Sequence, residues 1–140
     1  MSSSLKLPLW LNILTAVFFL SNLFVFGGLA LFSPSTAFPD AGPTADFPIQ
    51  FFAIRHIAFA APLGYGLFKQ DIKILWACFL MFMVMTSLDV ALLFLNGYYI
   101  PVIGDVPLLA KIVLAFGGFI GPVFLALTKL TSLKRHLSES

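Results

Sequence analysis

Four long apolar stretches, separated by short polar or proline-rich segments, make up most of the 140-residue chain. They run from about Leu7 to Phe32, Phe47 to Phe68, Ile72 to Leu95 and Val106 to Thr128. Each has the roughly 20 residues that a helix needs to cross a bilayer. Without water to satisfy backbone groups in the hydrocarbon, such stretches predict helices. The expected fold is therefore all-α: a polytopic membrane protein with a single domain over residues 1–140, arranged as an antiparallel four-transmembrane-helix bundle. The first stretch follows Lys6, as a secretory signal would, but it is longer than the roughly 7–15-residue apolar core of a signal peptide. It reads as a span.

The connections differ in character. The first, SPSTAFPDAGPTADFP, carries Pro34, Pro39, Pro43 and Pro48, whose ring geometry argues against a regular helix. The second is the tight Lys69-Gln70-Asp71 turn, and the third is NGYYIPVIGDVP, where Tyr98 and Tyr99 suit an interfacial aromatic belt. Lys6, Lys69, Lys73, Lys129, Lys134 and Arg135 fall on one side of the spans, whereas Asp40, Asp46 and Asp105 fall in the opposite loops. The positive-inside rule then puts both termini and the short turn in the cytoplasm and the two proline-containing loops outside. A bacterial inner membrane is the expected location, in preference to a eukaryotic endomembrane.

Composition agrees with this pattern and narrows the chemistry. The chain is 60 % hydrophobic and 10 % charged with a mean hydropathy of +1.02, against about 45–50 % and about 25 % for soluble domains. The basic residues are few and sit at span ends, so membrane lipids are the expected surroundings and nucleic acid is not an expected partner. Cys78 is the only cysteine, which excludes an intrachain disulfide, a CxxC redox pair and a cysteine-rich metal site. No metal site is expected, and the pattern names no cofactor. No HExxH, P-loop, GxSxG or dinucleotide fingerprint is present.

Against this apolar background the polar positions stand out. Arg55, His56, Asp89 and Lys111 lie well inside the stretches, and all four fall in the outer half of the bilayer. Ionisable residues at such depth mark an ion path, a ligand site or a fixed internal pair. At 1.5 Å per residue Arg55 lies about 10 Å and Asp89 about 9 Å below the outer surface, on consecutive antiparallel spans. A direct or water-bridged Arg55–Asp89 contact is expected, with Thr86, one turn before Asp89, donating a hydrogen bond to it. Lys111, about 6–8 Å deep by the same rise, reads as an interfacial snorkeller. His56 is rotated about 100° from Arg55, so the two share a site only if span two occupies a corner. Packing is its default role, with ligand or proton binding as the alternative. Asn22 lies nearer the polar region than Asn12, which is expected to cap or pack. The candidate ligand-binding set is Arg55, Asp89, His56, Asn22, Thr86 and Lys111.

Two further features concern backbone packing. Gly117 and Gly121 form a GxxxG pattern, expected to pack against another helix of the bundle, a second copy or a larger membrane complex. Pro62, with Gly64 and Gly66 beyond it, is expected to loosen the cytoplasmic half of span two.

The succession of Arg55, the run Gly64-Tyr65-Gly66, a short basic turn and Asp89 resembles small four-helix membrane families such as the DoxX-like group. That resemblance covers about Arg55 to Asp89; it implies a four-helix membrane bundle and transfers no catalytic role. Two functions compete. In one, the chain binds a small apolar or anionic molecule or a lipid in an outer-half pocket, with or without catalysis. Arg55 would hold an anionic or carbonyl group, Asp89 would orient Arg55 or exchange a proton, and His56 would assist. In the other, it is a non-catalytic subunit or assembly factor in which Arg55 and Asp89 form only a structural tie. A proton-coupled transporter ranks last, because the cytoplasmic half offers few polar residues.

Overall fold

The computed structural model describes residues 6–38, 46–96 and 107–139. Among them the chain is helical and has no strand. Helix α1 (Leu9–Leu20) runs into a π-helical segment (Ser21–Leu29) and then α2 (Ala30–Phe32). The one-turn α3 (Pro34–Ala37) follows, then α4 (Asp46–Lys69) and α5 (Ile72–Asn96). The last helix consists of α6 (Leu108–Val113), a second π-helical segment (Leu114–Ile120) and α7 (Gly121–Glu139). Four continuous helices, Leu9–Phe32, Pro48–Lys69, Ile72–Ala91 and Leu108–Glu139, are long and apolar enough to cross a membrane.

Several boundaries differ from the sequence reading. The fourth helix continues past Thr128 to Glu139, so the basic tail is helical. This follows from its Leu, Lys, Arg and Glu content and from Leu130 and Leu133, which stay buried one turn apart. The proline-rich connection contains a helical turn after all, with Pro34 at its first position, where a missing N–H costs nothing. Neither π-helical segment is apparent from hydropathy. The expectations for Pro39, Asp40, Pro43, Tyr98, Tyr99 and Asp105 lie outside the described residues.

The main core draws on all four spans. Leu11 and Phe18 of α1, Phe59 and Leu63 of α4, Leu75, Phe79 and Phe82 of α5, and Val123, Ala126 and Leu130 of α7 form one buried cluster. The Phe82 ring stacks on Phe59 with centroids 5.1 Å apart and meets Phe18 edge-on at 5.0 Å. A smaller cluster of Ala30, Ala37, Ile49 and Ala53 lies under α3.

Gly64 and Gly66 do not loosen span two. A Cβ on Gly64 would lie 2.7 Å from the Phe19 ring, and one on Gly66 would lie 2.9 Å from Leu75, so both glycines admit close neighbours. Helix α4 also continues unbroken through Pro62. The turn after it is tightly held. Gln70 has φ +53° in the left-handed region, and its amide donates to the Leu67 carbonyl at 2.8 Å and to Asn12 Oδ1 at 3.0 Å. Asn12 therefore ties α1 to this turn. Asp71 caps α5, its Oδ1 accepting from the N–H groups of Lys73 and Ile74.

Beyond the turn, contacts between α4 and α5 follow in reverse order: Gly66 with Leu75, Phe59 with Phe82, and Arg55 with Asp89. That ordering carries the polar residues of both helices to the same level.

Candidate functional site

Two polar contacts lie at this level, on opposite flanks of α4. On one flank Arg55 Nη2 donates to both carboxylate oxygens of Asp89, at 3.1 Å to Oδ1 and 2.9 Å to Oδ2. The two side chains are 41 % and 36 % exposed. Among the described residues, Arg55 Nη1 and Nε donate to no partner. The guanidinium also lies 5.2 Å from the centre of the Phe52 ring, one turn earlier on α4.

On the other flank His56 is 5 % exposed and packs against Asn22 in the first π-helical segment. Their separation, His56 Nδ1 to Asn22 Oδ1, is 2.6 Å, and Asn22 Nδ2 donates to the Phe18 carbonyl at 2.8 Å. A carbonyl only accepts, so the Asn22 nitrogen must face Phe18 and its oxygen must face the histidine. Nδ1 therefore carries a hydrogen, and in the neutral ring Nε2 presents a lone pair. Nε2 is buried and has no hydrogen-bond partner among the described residues. The ring is flanked by Phe52 at 4.2 Å and Phe26 at 5.3 Å between centroids. Phe52 thus contacts both Arg55 and His56 and separates them.

The structure sorts the sequence candidates accordingly. It joins Arg55 to Asp89 and His56 to Asn22. Consecutive residues serve different neighbours because about 100° of helix rotation separates them and α4 packs against both α5 and the first helix. Thr86 is buried at 7 % exposure, and the expected hydrogen bond to Asp89 is not formed among the described residues. Lys111 is half-buried on α6, and no hydrogen bond or ion pair joins it to Arg55, His56 or Asp89. The His56–Asn22 contact was missed. Its only sequence signal was one amide on span one at a depth similar to that of a histidine on span two.

Gly27 sets the approach of the first helix to α4 beside this site. A Cβ there would fall 2.5 Å from Ile57 Cγ1 and 2.6 Å from the Asn22 carbonyl oxygen. The isoleucine can shift, whereas the backbone oxygen cannot. Gly27→Ala should lower stability by about 1 kcal/mol through overpacking, measured as a fall in the thermal unfolding midpoint in detergent. Gly117→Ala, where a Cβ meets nothing within 4 Å, supplies the control and should leave the midpoint unchanged.

The second glycine pattern stays open. Cβ atoms on Gly117 and Gly118 would meet open space, and one on Gly121 would meet only Phe116 of the same helix. Among the described residues this face packs against no other helix of the chain, which leaves a second copy or a larger complex as the expected neighbour. Among the described residues no group of three or more His, Cys, Asp or Glu side chains could hold a metal ion. Comparison with protein-family models, with curated proteins and with solved structures finds no match to this chain.

Proposed function

We propose that this chain is a four-span membrane protein, with antiparallel helices and cytoplasmic termini, that binds a small molecule or lipid at Arg55 in the outer half of the bilayer. The observation that carries this reading is the unequal use of the guanidinium. One nitrogen takes both Asp89 oxygens, while among the described residues Nη1 and Nε find no acceptor, on a side chain that is 41 % exposed. A mere tie would be best served by saturating both partners, since unpaired donors at hydrocarbon depth are costly. Held by Asp89, Arg55 instead presents oriented donors to an anionic or carbonyl group, and Phe52 provides an apolar wall beside it. His56 assists from behind that ring, its Nε2 lone pair accepting a proton donor on the ligand once the Phe52 side chain moves aside.

The test is the exchange Arg55→Asp with Asp89→Arg, which keeps an ion pair but reverses the end that presents the cation. The exchanged chain should unfold near the wild-type temperature. Organic extraction of the purified wild-type chain should yield an acidic or carbonyl-bearing apolar compound in near-stoichiometric amount, and the exchanged chain should yield none. Equal yields from both would sink the reading.

The competing reading, a non-catalytic subunit of a larger membrane complex, is favoured by one observation. Only 11 % of the most apolar window of the fourth helix is buried, and its Gly117 and Gly118 face open space. On that reading this face docks a helix of another chain, and the exchanged chain retains full function.

A further inference from the structure

A second polar feature lies at the other end of α5, where the basic residues gather. A groove of about 500 Å³ runs between the first turns of α5 and the last turns of α7, lined by Lys73, Trp76, Thr131, Lys134, Arg135 and Ser138 among others. We propose that this groove binds the phosphate headgroup of an anionic phospholipid of the surrounding membrane.

Charge and shape both support this assignment. The groove has three cationic side chains and no acidic one in its lining. Among the described residues no carboxylate lies within ion-pair distance of Lys73, Lys134 or Arg135. The acids nearest in sequence are Asp71, engaged by the N–H groups that begin α5, and Glu139, which forms no ion pair with Lys134 or Arg135. Among the described residues the positive field therefore lacks a paired carboxylate, and an anion is the complementary occupant. Arginine and lysine act differently on it, the first by paired donors and the second as a point charge.

The wall of the groove is preset. Trp76 Nε1 donates to Thr131 Oγ1 at 3.0 Å, and Thr131 Oγ1 in turn donates to the Leu127 carbonyl at 2.7 Å. Lys134 Nζ lies 3.5 Å from the centre of the Trp76 ring, which locates one cation over the groove without neutralising it. An indole at the end of an apolar span suits the headgroup level of a bilayer.

Position favours a lipid over a soluble phosphate. Trp76 belongs to the apolar span Ile72–Ala91, so the groove opens where that span ends. One turn further into the span, Leu80 is exposed, and two turns back from Thr131 so is Phe124. Acyl chains from a bound headgroup would continue along this apolar surface. The proposal requires that the helices cross a membrane but does not depend on the reading of Arg55, whose partner Asp89 lies about 20 Å from Trp76 along α5 at 1.5 Å per residue.

The full chain carrying Trp10→Phe keeps Trp76 as its only tryptophan, and its emission reports on the groove. In an uncharged detergent, phosphatidylglycerol should change that emission saturably. Phosphatidylcholine and soluble glycerol phosphate should not do so at the same concentration. Lys73→Gln with Arg135→Gln leaves the Lys134–Trp76 contact in place and should weaken binding by about fivefold for each charge removed. Lys69→Gln with Lys129→Gln removes as much charge from the same end but outside this groove, and it should leave the affinity unchanged. Equal weakening by the two pairs would mean diffuse attraction and overturn the site. Binding of phosphatidylcholine as tight as that of phosphatidylglycerol would also overturn it, and tight binding of glycerol phosphate would reassign it to a soluble anion. All four substituted side chains lie at the surface or partly so, and retained helicity by circular dichroism checks the fold.

Discussion

Replacing Arg55 with glutamine should destabilise the chain by about 2–3 kcal/mol, the scale on which a lone aspartate is disfavoured within a membrane helix. The effect comes from Asp89 rather than from the lost arginine. Both of its carboxylate oxygens accept from Arg55 Nη2, so the substitution leaves a carboxylate with no cation. Partial exposure keeps the penalty below the roughly 3–5 kcal/mol found for stranded partners of buried pairs. The companion Asp89→Asn removes that stranded charge, so Arg55→Gln with Asp89→Asn should recover most of the loss. Denaturant titration of the two single variants and the double, reconstituted in lipid, completes the cycle. If the double variant loses the sum of the singles, the two side chains are not coupled.

The second large effect is expected at the buried end of the polar level. Asn22→Leu removes the acceptor of His56 Nδ1 and the donor to the Phe18 carbonyl. Interhelical hydrogen bonds in membranes average only about 0.6 kcal/mol, because the unfolded helices find other partners. His56 gives this site a larger cost, since its Nε2 already lacks a partner and the substitution would leave both ring nitrogens buried and unpaired. A loss of about 1–2 kcal/mol follows from the penalty for an unsatisfied buried donor. Adding His56→Phe to Asn22→Leu should restore much of it, because the ring would then sit among Phe26 and Phe52 with no polar atom to satisfy. Strict additivity of the two losses would show that the contact contributes nothing.

These two contacts were unequally legible. The meeting of Arg55 with Asp89 follows from the short Gln70 turn, which places residues at similar distances on either side of it at the same level. Three successive contacts between α4 and α5 keep that order. Depth is a one-dimensional quantity, and hydropathy reports it. The pairing of His56 with Asn22 depends instead on how the first helix is turned about its axis and on the wider π-helical geometry from Ser21 to Leu29. Neither leaves a trace in the apolar pattern.

The same limit explains the misread positions. Thr86 lies on the correct turn but forms no hydrogen bond with Asp89 among the described residues. Gly64 and Gly66 looked like loose backbone; neighbouring side chains make them close-packed positions.

By itself the sequence determined that the chain is helical, that four of its helices are apolar and long enough to span a membrane, and how deep each polar residue lies along its helix. Those properties follow from backbone satisfaction and transfer energy, which act locally along the chain. Tertiary structure alone decided that His56 touches Asn22, which glycines are crowded and which faces stay open. Spans that are apolar all round carry no stripe to announce their inward side, so packing and individual hydrogen bonds set their rotation.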